Sequence, residues 1–159
     1  MAIEIKIAKF DQLRPTANLA KASLGAIAYD IRVPESVILR PGRQIVKTNL
    51  CSELPINFEA KIEPRSGFSC KGFEGKSMFS GETKRFDCDV MVGKIDSDYR
   101  GEWGIMVNNH DEEFILEAGT RIAQVTFYEV PETLLKYVDK EALDNTERGD
   151  GGFGHSGTK

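Results

Sequence analysis

The fold class follows from the stretch "EFILEAGTRIAQVTFYEV", residues 113–130, in which short alternating runs of apolar and polar residues flank a break at Gly119. A period of two is typical of strands that bury one face. The pattern recurs in five other segments, "IEIKIAKF", "AYDIRV", "SVILRPGRQIVKTNL", "FEAKIEP" and "EWGIMVNN", with Pro-Gly, Asn or Gly between most of them. Many short strands at such spacing predict an all-β sandwich, barrel or jelly roll.

Two segments outside these strands are candidates for helices. One is "KASLGAIA", residues 21–28, and the other is "PETLLKYVDKEAL", residues 131–143. The second has apolar residues at irregular helical spacing, so its conformation stays open.

The size and charge of the chain bound its class. Its 159 residues suit one domain with a buried core. A formal charge of -4 argues against a nucleic-acid-binding surface, because such binding depends on neutralising phosphates with Lys and Arg. The start, "MAIEIKIAKF", alternates instead of forming a signal sequence, and no stretch approaches membrane-spanning length.

The three cysteines, Cys51, Cys70 and Cys88, are odd in number, widely spaced and without a C-x-x-C pair. Neither a disulfide framework nor a zinc site is therefore indicated. A reducing interior suits this pattern best, so we expect a cytoplasmic protein, with a nuclear or viral setting left open.

Residues with chemical potential lie in the loops between the predicted strands. In "EPRSGF", residues 63–68, Arg65 offers a forked guanidinium, and Ser66 and Gly67 can turn backbone N–H groups and a hydroxyl toward one anion. Read alone, this segment is more often an ordinary turn. Gln124 interrupts an apolar strand, so it is either an edge residue or a ligand contact.

The segment "GKIDSDYRGEW", residues 93–103, gathers two carboxylates and a phenol ring at a strand end and tight turn. If it is extended, alternation places Asp96 and Asp98 on the same side. One of them could then act as a base while the other makes structural hydrogen bonds. A solvated acidic turn is the alternative.

The tail "RGDGGFGHSGTK", residues 148–159, spells a formal G-x-G-x-x-G at Gly149, Gly151 and Gly154 around one apolar residue, Phe153. The dinucleotide-binding motif of that form opens a helix, and only five residues follow Gly154, so we do not expect that interpretation to hold. Taken by itself, a loose Gly-rich segment is the simpler expectation.

Taken in order, these motifs resemble the trimeric dUTP pyrophosphatase (dUTPase) family. Five of them match, "AYDI", "PRSG", "GKIDSDYRGE", "RIAQ" and "RGDGGFGHSG", and they span nearly the whole chain. The resemblance implies a distorted jelly-roll β-barrel over residues 1–147 and a flexible C-terminal lid over residues 148–159. It also implies a homotrimer with shared active sites and hydrolysis of dUTP to dUMP and pyrophosphate with Mg²⁺. Such an activity limits uracil incorporation into DNA and supplies dUMP for dTMP synthesis.

The resemblance assigns roles to individual residues. Asp96 matches the general base that activates water for attack on the α-phosphorus, and Asp30 matches a carboxylate that meets Mg²⁺ through water. Tyr99 matches the ring under the deoxyribose, where it leaves no room for a 2′-hydroxyl. The implied phosphate contacts are Arg65, Ser66, Gly67 and Gln124.

Two further groups complete the implied site. Residues 90–96 match a β-hairpin that reads uracil largely through its backbone, and the implied contacts there are Val90, Gly93, Lys94 and Ile95. In this family a neighbouring subunit supplies the tail, where Phe153 matches the ring stacked on uracil and Arg148 the γ-phosphate contact. Gly154 and Ser156 match the remaining contacts of the tail with the substrate.

The chain departs from the family pattern between Gly67 and Ile95, where 27 residues exceed the usual spacing. The excess lies around residues 70–86, whose glycines suggest a loop or an extended hairpin. Such an insertion is a surface elaboration, a trimer contact or a partner-binding patch. Asp89 begins the expected hairpin where many relatives have Asn, and Asp150 stands where Ser or Thr is common.

Two other functions stay open at this point. The dCTP deaminases share the trimeric scaffold but use a glutamate-centred site, and the intact "IDSDYRG" together with Phe153 argues against them. A nucleotide-sensing regulator would bind dUTP and control a protein partner through residues 70–86, and such a role could coexist with catalysis.

Overall fold

Strands make up nearly all the regular structure of this protein, as its alternating segments predict. The computed structural model describes residues 2–152. The helical elements of these residues are one short helix, α1 (Ser66–Lys71), and one 3-10 turn (Lys140–Ala142). The strands are β1 (Lys6–Lys9), β2 (Asn18–Ala20), β3 (Tyr29–Arg32), β4 (Val37–Leu39), β5 (Gly42–Lys47), β6 (Leu50–Glu53), β7 (Phe58–Glu63), β8 (Phe73–Ser77), β9 (Thr83–Phe86), β10 (Cys88–Val90), β11 (Gly93–Ile95), β12 (Gly104–Asn109), β13 (Phe114–Leu116) and β14 (Arg121–Glu129).

These strands pair antiparallel and form four sheets. The largest sheet has the order β11-β7-β14-β3-β2, so β14 lies at its centre. The other sheets have the orders β4-β13-β8-β9, β10-β12-β5 and β1-β6. The all-β class is therefore confirmed, although no ladder between described residues closes the four sheets into a single barrel.

The core lies between the inner faces of the sheets, because alternate residues of each strand point to opposite sides. In β12, Ile105, Val107 and Asn109 are buried, and the three residues that alternate with them are only partly covered. Asn109 is the polar exception, and its side-chain amide donates to the carbonyls of Leu39 and Glu112 at 3.1 and 3.0 Å. A buried amide is tolerated here because its donors are satisfied.

Residues 70–86 contain the extended hairpin that their glycines suggest. β8 and β9 pair with each other, and β8 also pairs with β13. Phe73 and Phe86 are buried, and the Phe86 ring stacks on Phe114 with 4.1 Å between ring centroids. A Cβ at Gly75 would overlap the Phe114 ring. The hairpin is thus part of the core and not only a surface elaboration.

Neither candidate helix forms. Residues 21–28 make a turn in which the Ala26 N–H donates to the Ser23 carbonyl at 3.1 Å. Residues 131–143 have the 3-10 turn as their only regular structure. A short helix is stable when an apolar face packs against the core, and the large apolar side chains of both segments are exposed. No helix among the described residues is long and apolar enough to cross a membrane.

The expected hairpin over residues 90–96 is wrong in its pairing. β10 pairs with β12 and β11 pairs with β7, so the two strands belong to different sheets. Only Met91 and Val92 join them. Each strand lies at the edge of its sheet, and the outer backbone groups of both have no ladder partner among the described residues.

Candidate functional site

One cleft brings together four of the predicted site residues, and we call it the arginine cleft. It is lined by Asp30, Arg65, Ser66, Gln124 and residues of the turn 22–28. Asp30 on β3 and Gln124 on β14 are cross-strand partners. Gln124 also lies opposite the last residue of β7, which Arg65 follows by two positions. The central position of β14 therefore assembles the cleft, and Gln124 is not an edge residue.

Two arginines hold the carboxylate of Asp30, whose side chain is only 12% exposed. Arg65 Nε donates to Oδ1 at 2.7 Å, and Arg121 Nη1 donates to Oδ2 at 3.3 Å. Two guanidinium groups against one carboxylate leave a net positive charge, which favours a bound anion. Sequence reasoning missed Arg121, although its place at the start of the strand that carries Gln124 was an available signal.

The segment that carries Arg65 begins a helix and is not an ordinary turn. The N–H groups of Phe68 and Ser69 both donate to the Arg65 carbonyl at 3.0 Å. Ser66 and Gly67 come before these bonds and are exposed, so their N–H groups are not used by the helix ladder. A Cβ at Gly67 would meet open space. Nothing within this chain therefore requires a glycine there.

A second group of predicted residues lies at positions 96–99, which we call the Asp96 turn. The Tyr99 N–H donates to the Asp96 carbonyl at 3.1 Å, so the extended backbone ends at Ile95. The segment is not extended beyond Ile95, so strand alternation does not place Asp98 on the same side as Asp96, and the alternative of an exposed acidic turn describes residues 96–99. Asp96 is exposed, and its carboxylate accepts no hydrogen bond from any described residue.

Tyr99 is half-exposed, and the fold fixes its orientation. Its hydroxyl donates to the Glu102 carbonyl at 3.2 Å. Its ring lies over Gly101, where a Cβ would overlap it. Arg100 Nη1 donates to the carbonyls of Ser97 and Tyr99 at 2.7 and 3.2 Å. These contacts hold the turn and the ring as one unit.

Glu102 carries a buried charge beneath this turn. Its side chain is 7% exposed and forms an ion pair with Arg14, whose hydrogen bonds hold the pKa of the Glu102 carboxyl below its usual value. The Asn49 N–H, which donates to the same carboxylate at 2.8 Å, lowers this pKa further. Sequence reasoning missed both charged residues, since a separation of 88 positions leaves no local pattern to find.

The residues predicted to read uracil lie on the two edge strands. Val90 on β10 and Ile95 on β11 are buried, and Gly93 is partly buried. Lys94 forms an ion pair with Glu59 at 2.7 Å. The fold already uses these side chains, so what the strands offer to a ligand is the backbone of their outer edges.

The register along β7 separates the arginine cleft from the Asp96 turn within one chain. β11 ends opposite Ala60 on one side of β7, whereas Gln124 lies opposite Glu63 on the other side. With about 3.3 Å per residue along a strand and about 4.8 Å between strands, the Cα atoms of Asp96 and Asp30 are roughly 20 Å apart. The two groups do not form one site in a single chain.

Arg148 bonds within its own turn, where its Nε donates to the Gly151 carbonyl at 2.8 Å. Gly149 has a φ of +54°, which favours glycine. Phe153, Gly154 and Ser156 lie outside the described residues. The contacts expected for the tail therefore stay predictions.

The described residues contain no group of three or more His, Cys, Asp or Glu side chains that could hold a metal ion. Mg²⁺ is often bound by one or two carboxylates together with the phosphates of a substrate. Each oxygen of Asp30 accepts one hydrogen bond from an arginine, so each keeps a lone pair for a water molecule. Asp30 thus fits a water-mediated contact with Mg²⁺.

Comparison with known proteins identifies the family that the sequence motifs resemble, and the match extends over most of the chain. A sequence model of the dUTPase family matches residues 15–157. The deoxyuridine 5′-triphosphate nucleotidohydrolase of Thermoanaerobacter sp. (strain X514) is 37% identical over 161 aligned residues, which cover 99% of both chains. That of Hydrogenobaculum sp. (strain Y04AAS1) is 40% identical over 141 residues, which cover 87% of this chain and 88% of the relative.

Solved dUTPase structures share the fold. The Staphylococcus bacteriophage 80alpha dUTPase with dUpNHpp has a TM-score of 0.78 and 23% identity, and covers 98% of this chain and 99% of its own. An aspartate-to-asparagine variant of the phage phi11 dUTPase, described with a coordinated structural Mg(II) ion, has a TM-score of 0.69 and 18% identity, and covers 87% of this chain and 98% of its own. These likenesses confirm the jelly-roll type of fold. From the match over residues 15–157 and the two bacterial relatives, this chain belongs to the dUTPase family.

Proposed function

We propose that this protein hydrolyses dUTP to dUMP and pyrophosphate, as a member of the dUTPase family. The observation that carries the proposal is the arginine cleft, where Arg65, Ser66 and Gln124 surround a buried carboxylate beside the central strand of the largest sheet. A partly buried pair of guanidinium groups with net positive charge is suited to a triphosphate.

Asp96 acts as the general base in this reaction. Its carboxylate takes a proton from water, and the water oxygen forms a bond to the α-phosphorus. The bond from that phosphorus to the oxygen bridging toward the β-phosphorus breaks, and pyrophosphate leaves with the electron pair. An exposed carboxylate that accepts no hydrogen bond from the described chain, as at Asp96, is available for such a proton transfer.

Different parts of the fold hold the phosphates and the nucleoside. Arg65, Ser66, Gly67 and Gln124 bind the phosphate chain. The outer backbone edges of β10 and β11 hydrogen-bond to uracil. Tyr99 lies under the deoxyribose and excludes a 2′-hydroxyl, and its fixed ring orientation supports this role.

Asp30 would hold Mg²⁺ through water molecules when the nucleotide is bound. The bound ion would neutralise charge on the phosphate oxygens. Arg65 and Arg121 fix the orientation of the Asp30 carboxylate, so that its remaining lone pairs face a constant direction.

Each active site is shared between subunits of a homotrimer. A general base must lie within hydrogen-bond reach of the reacting group, directly or through one water. Within one chain, the roughly 20 Å between the Cα atoms of Asp96 and Asp30 is too far for both to serve one phosphorus atom. A second copy that brings its Asp96 turn to the arginine cleft removes this difficulty.

The tail of residues 148–159 closes the site from a neighbouring subunit. Phe153 stacks on uracil, Arg148 contacts the γ-phosphate, and Gly154 and Ser156 complete the enclosure. The motif resemblance supports this role, and so does the position of Arg148, whose side chain is exposed and bonds only to its own turn among the described residues. Closure would exclude bulk water from the reaction.

Release of dUMP and pyrophosphate from dUTP tests the proposed activity, with UTP and dCTP assayed alongside. We expect products from dUTP at a rate that falls on chelation of Mg²⁺ and returns when the ion is added back. Conversion of dCTP to dUTP in place of dUTP hydrolysis would assign the protein to the dCTP deaminases. Lack of any release from dUTP would overturn the proposal.

Co-expression of two inactive variants tests the shared site. Asp96→Asn removes the base and Arg65→Ala removes a phosphate contact, so each homotrimer should be inactive. A mixed trimer contains sites that combine the intact Asp96 turn of one subunit with the intact arginine cleft of another. Activity should therefore return in mixed trimers, and its absence in verified mixed trimers would place both groups in one chain.

A further inference from the structure

We propose that Arg14 and Glu102 are positioning residues for sugar selection. Their ion pair fixes the backbone beneath Tyr99 and thereby sets how strongly the enzyme favours dUTP over UTP. This inference rests on the proposed function, because it concerns the same site.

The pair has the geometry of a strong, partly buried interaction. Arg14 Nη2 donates to Glu102 Oε1 at 2.5 Å, and Arg14 Nη1 donates to Oε2 at 3.4 Å. The side chain of Glu102 is 7% exposed and that of Arg14 38%. Lys47 Nζ lies 3.7 Å from Oε2. A two-pronged contact of this kind fixes direction as well as distance.

A rigid loop delivers Arg14 to this contact. Asn49 is fully buried and has a φ of +57°. Its side-chain Oδ1 accepts the Asp11 N–H at 2.8 Å, and its Nδ2 donates to the carbonyls of Asp11 and Arg14 at 2.9 and 3.0 Å. The Asn49 N–H in turn donates to Glu102 Oε1 at 2.8 Å. One asparagine therefore ties the loop and the buried carboxylate together.

The backbone of Glu102 connects this cluster to the ring. Its carbonyl accepts the Tyr99 hydroxyl, and the next residue, Trp103, donates its N–H to the Leu50 carbonyl at 2.7 Å. The Glu102 side chain thus anchors the backbone between Tyr99 and Trp103 to the loop that carries Arg14. If the carboxylate lost Arg14, the peptide unit that carries the acceptor of the Tyr99 hydroxyl would keep the Trp103–Leu50 hydrogen bond but lose its strongest side-chain anchor.

A small shift of the ring is enough to change sugar selection. Steric rejection of one hydroxyl depends on a gap smaller than that group, and displacements near 1 Å can change rates by about 100-fold. Tyr99 also donates its N–H to the Asp96 carbonyl, so turnover should change as well. The ratio of UTP to dUTP use is the readout that a general loss of stability would not move.

Four variants test the proposal. Glu102→Gln and Arg14→Gln remove the charge of one partner each, and Arg14→Lys keeps the charge but loses the fork. The matched control is Lys6→Gln, because Lys6 pairs with Glu53 at 2.9 Å in an exposed ion pair that also ties the N-terminal segment to a sheet. In each, kcat/KM is measured for dUTP and for UTP.

We expect the preference for dUTP over UTP to fall about 10- to 100-fold in both Gln variants of the pair. Arg14→Lys should be intermediate, and Lys6→Gln should match the wild type. Variants that lose thermal stability but keep the wild-type preference would overturn the proposal and leave the pair a purely structural role.

Hydrogen exchange of residues 96–103 in the full-length protein gives a second test that does not depend on activity. Exchange there should be faster in the Gln variants of the pair and unchanged in Lys6→Gln. Unchanged exchange in all variants would contradict the proposed positioning. If the wild type fails to hydrolyse dUTP, the proposed function falls, and the exchange data still decide whether the pair holds the turn.

Discussion

The carboxylates of the arginine cleft and of the Asp96 turn differ in burial and in hydrogen bonding. In the cleft, Asp30 is buried and compensated by two arginines of its own chain. In the turn, the Asp96 carboxylate is exposed and accepts no hydrogen bond from the described residues, while the buried charge of Glu102 lies beneath it. A carboxylate that only binds a ligand can already form ion pairs within its own chain, whereas a carboxylate that accepts a proton from water must be free of such contacts. Substitutions in the two regions should therefore affect different properties.

The largest effect is expected at the exposed carboxylate. Asp96→Asn should lower turnover of dUTP by at least about 100-fold, since general-base contributions are typically 10²–10⁴. Binding of dUTP, measured by calorimetry, and the melting temperature should stay near the wild-type values, because the carboxylate supports no described contact. Asp98→Asn is the matched control on the same turn. Near-normal turnover of the Asp96 variant would remove the assigned base.

At the buried carboxylate, the expected effect is on stability as well as on activity. Asp30→Asn removes the negative charge that Arg65 and Arg121 share, and we expect the free energy of unfolding to fall by about 1–3 kcal/mol, the usual cost of removing one partner of a buried hydrogen bond. Urea unfolding measures this difference. Glu53→Gln, in an exposed ion pair, is the control and should change it by at most about 1 kcal/mol. Equal effects of both variants would show that the cleft is not held together by its ion pairs.

The stability that Glu102 contributes beneath the Asp96 turn should depend on pH. The pKa of Glu102 is lowered in the folded state, chiefly by the hydrogen bonds from Arg14. A carboxyl group whose pKa is lower in the folded state than in the unfolded state stabilises the fold at pH values above its unfolded pKa. That stabilisation is lost as the pH falls through the folded pKa.

The advantage in unfolding free energy of the wild type over Glu102→Gln should thus be constant from pH 7 to about 5 and shrink below about pH 4. Other carboxylates are present in both proteins and cancel in the difference. An advantage that does not change with pH would mean that the charge of Glu102 adds nothing.

The smallest effect on activity is expected at the cysteines. Burial, with Asp89 and Asp87 nearby, raises the pKa of the Cys88 thiol to about 12, whereas Cys70 on α1 is exposed. A thiol reagent should therefore label Cys70 in the native protein and Cys88 only after unfolding. Cys70→Ser should keep wild-type turnover. Rapid labelling of Cys88 in the native state would contradict the buried position of β10.

Much of the fold could be predicted from period-two alternation, and the errors have physical reasons. Alternation identified strands that bury one face, such as β12 and β7. It missed β2, which has only three residues and exposes two of them. The hairpin over residues 90–96, which the motif resemblance implied, is instead two edge strands in different sheets. Local sequence at β10 and β11 carries no information on their distant partners.

The candidate site was predictable where motifs are local and not where contacts are distant. Asp30, Arg65 and Gln124, which the resemblance assigns to one site, line the same cleft. The sequence placed Asp96 at a strand end and tight turn but left open whether the segment is extended, because alternation alone does not show where the strand ends. Arg121 was missed although it begins the strand that carries Gln124. Glu102 was missed because it acts through Arg14, 88 positions away, and no local sequence pattern encodes such a pair.

The two-residue link between β10 and β11 has a mechanical consequence. Three extended residue steps, from Val90 to Gly93, span at most about 11 Å, so neither strand can leave its sheet by much without pulling on the other. Peeling of β11 from β7 should then loosen β10 from β12 in the same event, as one cooperative unit of partial unfolding. The link therefore couples the two edge strands, so a protease that cleaves only the opened state should gain access to β10 and β11 together.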